Sequence, residues 1–255
     1  MNSDRFIEVP RTVGCSQLSL LLRPFQLYEG IIIIKWEKAE SWNSAAMGVR
    51  FMDDYSAFLS PYEDTDTFKI FTESLNNDKS RKKFTINFTS NVVEYALAAL
   101  TGTNRGAEIQ EMPEESLAHN EEFAVKYLND ASSFMLCELI GKLKNFELDA
   151  TEFLDEFSNK TIRKHFSASF EVNILKRFKS KYMSQSQNRG DNLALEAVTL
   201  ASKLPVYAGK KSKQDQAFEL LSKIRFYEKE IRRFSANKNA LQVCNIIDDY
   251  INKII

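Results

Sequence analysis

The chain has 255 residues, 44% of them hydrophobic and 27% charged, with 34 basic against 35 acidic side chains. Those are the proportions of a globular chain, and they exclude collagen-like, disordered and disulfide-scaffold proteins. The length suffices to bury a substantial core in one large domain or two small ones.

Three cysteines, Cys15, Cys137 and Cys244, are too few and too scattered for a disulfide framework. Asp4 and Glu8 stand where an export signal would be basic or apolar, and the run Ile31 to Ile34 is far short of the ~20 residues of a membrane span. Composition therefore predicts a reducing, cytoplasmic setting without a membrane.

Only eight glycines and five prolines punctuate the chain, most of them before residue 115. That contrast divides it into an α/β region over 1–105 and a mainly helical region over 106–255, as two units or one continuous domain. Arg5 to Val9 reads as a strand. Cys15 to Arg23 carries Leu18, Leu21 and Leu22 on one helical face, and Pro24 stops it. Four isoleucines and an aromatic within Ile31 to Trp36 predict a strand buried on both faces. Met47 to Met52 is a weaker strand. Ser60-Pro61-Tyr62-Glu63 opens a helix to about Leu75.

Lys83 to Thr89 alternates cleanly, with Phe84, Ile86 and Phe88 on one side. Asn91 then caps a helix whose capping box Glu94 completes and which Gly102 ends. The order β-α-β-β-α-β is the split arrangement of ferredoxin-like domains. The fold class expected is thus α+β: a ferredoxin-like sheet region followed by helices.

From Met112 the apolar spacing of Phe123, Tyr127, Phe134, Leu136, Leu139, Ile140 and Leu143 predicts helix, and Asp149 to Glu152 opens another. One further strand, Phe170 to Ile174, interrupts. Lys179 to Asn192 and Lys203 to Lys213 read as exposed loops. Two amphipathic stripes, Ala217 to Phe234 and Ala240 to Ile254, close the chain as helices. Glu219 to Lys223 and Glu228 to Arg232 are expected to pair on their solvent side.

The net charge of −1 hides a division. Residues 106–157 hold thirteen acidic and three basic side chains, while 160–238 hold eighteen basic and seven acidic. Aromatics punctuate the basic block, so Lys176, Arg177, Lys179, Lys181, Arg189, Lys210, Lys211 and Lys213 are the candidate nucleic-acid-binding residues. The competing expectation is that the acidic block neutralises them within the molecule. The strand at Met47 to Met52 lacks the glycine-aromatic pattern of an RNA-recognition sheet.

Chemistry is sparse. His119 and His165 are remote from each other and from the cysteines, so no zinc set forms. Asp53, Asp54, Glu63, Asp64 and Asp66, with Glu37 and Glu40 nearby, offer oxygen ligands for Mg²⁺ in phosphodiester chemistry, although acidic residues at a helix start also favour its dipole. Cys15 after Gly14 has no base nominated for it. Gly209-Lys210-Lys211-Ser212 ends like a phosphate loop, but Leu204 stands where the first glycine belongs.

No catalytic signature emerges, and neither a cofactor nor a metal is expected. The sequence predicts a non-catalytic interaction protein, an accessory subunit of a larger assembly that docks a protein partner through the helices at 213–255. Nucleic-acid binding through 160–238 and a metal-dependent phosphodiester enzyme at 53–66 are the alternatives.

Overall fold

A computed structural model describes residues 5–10, 27–61, 63, 65–76, 81–101, 111–144, 168–181, 189–208, 213–234 and 238–254. Nine strands and five α-helices follow in order among these residues: β1 (Phe6–Val9), β2 (Leu27–Trp36), β3 (Ser41–Phe51), β4 (Ser56–Leu59), α1 (Asp66–Asn76), β5 (Lys83–Phe88), α2 (Val92–Leu100), β6 (Leu117–Asn120), β7 (Val125–Leu128), β8 (Ser133–Lys144), β9 (Ala168–Ser180), α3 (Arg189–Ala208), α4 (Gln214–Phe234) and α5 (Lys238–Ile254).

The strand order is β1-β9-β4-β3-β2-β5-β8, and β8 returns to pair with β9. That last pairing closes six antiparallel strands into a barrel, with β1 outside the ring. Closure removes the exposed edges that an open sheet would leave. The ferredoxin-like β-α-β-β-α-β expectation is therefore wrong: the N-terminal strands belong to a barrel whose wall is completed from the C-terminal half of the chain.

The isoleucine run explains why the barrel forms here. Ile32 and Ile34 enter the interior with Val49, Phe51, Phe84, Ile86, Met135, Phe170 and Val172. Ile31 and Ile33 face outward and are covered by Tyr95 and Ala98 of α2 and by Val125, Tyr127 and Leu128 of the β6–β7 hairpin. All four isoleucines are fully buried. A strand with apolar residues on both faces needs cover on both, and barrel interior and outer layer supply it.

Gly30 lies in the same strand because nothing larger fits. A Cβ there would stand 3.0 Å from Val49 Cγ2 and 3.1 Å from Ile86 Cγ2. Cys137 is wholly buried in the interior, and burial pushes its thiol pKa up.

The second correction concerns residues 112–144, expected as helix. They form the two-stranded β6–β7 sheet and the long strand β8. Phe134 and Leu136 face the outer cluster while Met135, Cys137 and Leu139 face the interior. Lys179 to Ser180 likewise ends strand β9, and Lys203 to Ala208 continues α3 through Pro205. The helix expected at Cys15 to Arg23 and that at Asp149 to Glu152 lie outside the described residues.

Helix α2 joins the two halves. Asn91 caps it, its Oδ1 accepting from the Val93 N–H at 3.1 Å. Tyr95 and Ala98 pack on the barrel, while Val92, Val93, Ala96 and Leu100 enter a separate cluster with α3, α4 and α5. Among the described residues, no helix is long and apolar enough to cross a membrane.

The barrel interior makes one direct prediction. Ile32→Ala removes a side chain packed on all sides and is expected to cost about 2–5 kcal/mol. Ile7→Ala, at a position 54% exposed, is expected to cost under about 0.5 kcal/mol. Urea unfolding of both variants checks this; equal costs would contradict a closed interior around β2.

Candidate functional site

Three places in the fold combine polar groups with accessible or uncommitted structure. The first is a fork in the barrel wall. One edge of β9 pairs Phe170 to Asn173 with β4 and then Arg177 to Ser180 with β1. Between the two partners lies a cavity of about 240 Å³ lined by Glu8, Val9, Tyr55 and Ile174 to Arg177. Binding pockets for whole cofactors run from about 300 Å³ upward, so this fork is undersized for one.

The second is the outer row of β3. Strand alternation sends Val49 and Phe51 into the barrel, with Met47 packed against them, and sends Trp42, Ser44, Ala46, Gly48 and Arg50 outward. The row spans roughly 27 Å at ~3.4 Å per residue. Its centre carries almost no side-chain bulk. β4 pairs only with Val49 to Phe51, so the edge of β3 before Val49 has no strand beside it among the described residues.

One backbone group on that edge is held by a carboxylate: the Ser44 N–H donates to Glu111 Oε2 at 3.0 Å. The Ser44 hydroxyl and the Arg50 Nε are buried without a hydrogen-bond partner among the described residues. Such groups carry a desolvation cost that a bound ligand would recover.

The third is a set of carboxylates whose pKa burial raises: Glu94 on α2, Glu111 beside β3 and the half-buried Glu29 on β2. Glu94 is 5% exposed, and burial raises its pKa to about 7; the Thr89 hydroxyl donates to it and opposes the rise, Asp130 adds to it and Arg5 opposes it. Burial likewise raises Glu111 to about 7, with the bond from Ser44 lowering and the charge of Asp66 raising it. Burial also raises Glu29, with Lys203 of α3 lowering and Glu196 of α3 raising its pKa. Tyr95 ties α2 to β2, its hydroxyl donating to the Glu29 carbonyl at 2.8 Å.

Glu94 does not complete the capping box. The Thr89 hydroxyl accepts from the Asn91 N–H at 3.0 Å instead.

Of the basic residues named from sequence, Lys176 and Arg177 are engaged within the molecule. Lys176 is ion-paired to Glu8 at 3.2 Å and Glu122 at 3.5 Å, and its ammonium stands 4.7 Å from the Phe123 ring centre. Those neighbours raise its pKa against the desolvation that lowers it. Arg177 is 3% exposed with Asp54 at 4.0 Å.

Lys179 pairs with Ile7 and Ser133 across the sheet, and Lys181 is an exposed residue whose N–H donates to the Arg5 carbonyl at 2.8 Å. Arg189 begins α3, and Lys213 lies 5.1 Å from the Tyr207 ring centre. Lys210 and Lys211 lie outside the described residues. The acidic block supplies Glu122 to Lys176, Asp130 to Arg5 and Glu114 to Lys126. Of these three pairs, Glu122 with Lys176 joins the acidic block to the basic one.

The acidic cluster at 53–66 is structural as well. Asp53 Oδ1 accepts from the N–H groups of Tyr55 and Ser56 at 2.7 Å, closing a turn, and Asp66 pairs with Lys69 at 2.9 Å in the first turn of α1. Glu37 pairs with Lys82, Glu63 is exposed, and Asp64 lies outside the described residues. Among the described residues no three His, Cys, Asp or Glu side chains group to hold a metal. His119 is exposed on β6; Cys15 and His165 lie outside the described residues.

The closed barrel with flanking helices is a flavin-binding split-barrel-like fold. Residues 28–145 match the family model described as protein of unknown function (DUF447), N-terminal domain. The whole architecture is similar to an FMN-bound protein of that family from Methanosarcina mazei, with TM-score 0.61 and 15% identity over 91% of this chain and 98% of that one.

Weaker likenesses include a UbiD-class enzyme from Pelotomaculum thermopropionicum in complex with FMN (TM-score 0.47, 10% identity, 70% of this chain and 40% of that one). Another is a flavoredoxin from Methanosarcina acetivorans (TM-score 0.40, 12% identity, 63% and 70%). No curated protein matches the chain.

These findings correct the functional expectation. The accessory-subunit reading rested on the helices at 213–255, and its alternatives on the basic block at 160–238 and the acidic cluster at 53–66. The fold is instead similar to that of an FMN-bound protein, part of 160–238 is barrel wall in β9, and Asp53 of the acidic cluster closes a turn.

The raised carboxylates give a pH prediction. With Glu94 raised from 4.5 to about 7, the folded state keeps a proton that the unfolded state releases between those values. Stability is therefore greatest toward the acid side of that window and falls as pH rises through 7, by about 2–3 kcal/mol between pH 5 and 8. Glu111 acts with the same sign. Glu94→Gln is expected to remove about half of the slope, read from urea midpoints at the two pH values; an unchanged slope would exclude Glu94 as a source.

Proposed function

We propose that this chain binds flavin mononucleotide along the outer row of β3 and uses it for redox chemistry on a small substrate. The observation that carries the reading is the shared architecture with an FMN-bound protein over nearly the full length of both chains. The β3 row is where this chain's own residues meet the demands of the cofactor.

A flat tricyclic ring needs a surface without protruding side chains, and Ala46 and Gly48 provide one. Its heteroatoms need donors and its phosphate needs a cation. The Ser44 hydroxyl and the Arg50 Nε have no hydrogen-bond partner among the described residues, and a guanidinium is well matched to phosphate oxygens. The residues fit the group.

When bound, the flavin supplies an acceptor for a hydride or for single electrons. The chain's contribution is binding, orientation and exclusion of water. Ser44 would donate to the ring and Arg50 would hold the phosphate end, while Glu111 fixes the backbone of β3 through the Ser44 N–H. We place the protein in the reducing cytoplasm, where the free thiols of Cys137 and Cys244 persist.

Titration of the purified chain with FMN, followed by quenching of flavin fluorescence and run in parallel with riboflavin, tests the proposal. Saturable FMN binding is expected. Arg50→Gln should weaken FMN by about tenfold or more, the scale of a lost charged contact, and leave riboflavin nearly unchanged. Gly48→Leu should weaken both. Absence of FMN binding would overturn the reading, and binding insensitive to both substitutions would overturn the assignment to β3.

A further inference from the structure

The largest exposed apolar side chains of the described residues are on one helix. Phe218 is 74% and Phe226 58% exposed, both on α4. The opposite face of α4 is spent on the helical cluster, where Ile224 and Ile231 are fully buried and Ala217, Leu220, Leu221 and Tyr227 pack beside them. At about 100° per residue, Asp215, Phe218, Glu219, Ser222, Arg225, Phe226 and Lys229 all fall within about 60° of a line through Ser222. Every one of the seven is exposed.

That stripe is self-complementary. Laid against a second copy of itself in the antiparallel sense, with Ser222 on the two-fold axis, residue i meets residue 444 − i, a register written here by roughly equal helix spacing on both copies. Phe218 then meets Phe226 of the partner, Asp215 meets Lys229, and Glu219 meets Arg225. Both charged pairs are of opposite sign, and both aromatic positions fall on aromatic positions. In the parallel sense Asp215 would meet Asp215 and Lys229 would meet Lys229.

The isolated helix does not require this arrangement. Glu219 is already served by Lys223 at 2.9 Å, and Arg225 by Asp248 of α5 and by Glu228. Glu228, expected to pair with Arg232, is instead 5% exposed and turned to Arg225. Arg225 is thus held at the surface by an ion network beneath it, with its side chain still 44% exposed. A held arginine between two exposed phenylalanines is the composition of an interface centre, where aromatic and arginine side chains are enriched.

We infer that the outer face of α4 is a homodimer contact, two copies pairing antiparallel about Ser222 through Phe218 and Phe226. Four turns of helix on each side make a small interface, so the dissociation constant expected is on the order of 10 µM. The contact lies on the helical cluster rather than on the barrel, and it stands whether or not the chain binds a flavin.

Sedimentation velocity of the full chain across concentrations spanning the micromolar range tests it. The wild type is expected to pass from monomer to dimer. Phe218→Glu with Phe226→Glu should leave a monomer throughout, with an unchanged far-ultraviolet circular dichroism spectrum because neither ring enters the core. Asp215→Lys and Lys229→Asp should each raise the dissociation constant about tenfold, and the two together should restore it to within about threefold, because the reversed pair attracts again.

A wild type that stays monomeric, or a dimer untouched by the double phenylalanine variant, would overturn the inference. Charge reversals whose effects accumulate without rescue would overturn the antiparallel register.

Discussion

The pairing of β8 with β9 is the constraint on which the rest of the molecule depends. Without it the sheet would be an open ribbon with β8 at one end, and the isoleucines of β2 would have no enclosed interior to enter. With it, twelve residues of β8 and thirteen of β9 close the wall. The same act fixes the outer surface. β9 is shared between β8 on one edge and β4 then β1 on the other, so the fork and the position of β1 follow from closure. β3, with β4 beside only its last residues, keeps a length of unshared edge.

The outer surface is then divided by α2. It covers Ile31 and Ile33 on one side and carries the helical cluster on the other, which buries Glu29 and Glu94 at the boundary. Burial among apolar layers raises the pKa of both carboxylates, that of Glu94 to about 7, and opposing charges such as Arg5 beside Glu94 offset it only in part. Electrostatics elsewhere is largely local. Glu122 of the acidic block meets Lys176 of the basic block, and Asp130 meets Arg5 from the N-terminal strand.

Legibility of the sequence tracked the simplicity of each residue's surroundings. Lys83 to Phe88 alternates, and the isoleucine run is apolar throughout, so both read as strands and are strands. The helices after 213 show a single apolar stripe and form where expected. β8 does not read as a strand because both its faces are buried. Phe134, Leu136, Leu139 and Ile140 then satisfy a helical spacing as well as an extended one, and register shifts at Leu136/Cys137 and Leu139/Gly141 break the alternation further.

Phe170 to Ile174 reads as a strand and lies in β9, but the continuation to Ser180 does not show, since Lys176, Arg177 and Lys179 look like a solvated run until their partners are placed. The candidate site was invisible for another reason. Ser44, Ala46, Gly48 and Arg50 are unremarkable singly, and only the register of β3 puts them in one row. The signal available was the spacing of two, with Val49 and Phe51 marking the inward set.

Sealing of the interior also gives the molecule a built-in clock. The thiol of Cys137 lies inside the wall with no exposure, and burial further suppresses its thiolate. A reagent that modifies thiols can reach that sulfur only when the strands around it part. The rate at which Cys137 becomes labelled therefore counts openings of the barrel itself, separately from fraying of the helices, and it does so without any added probe.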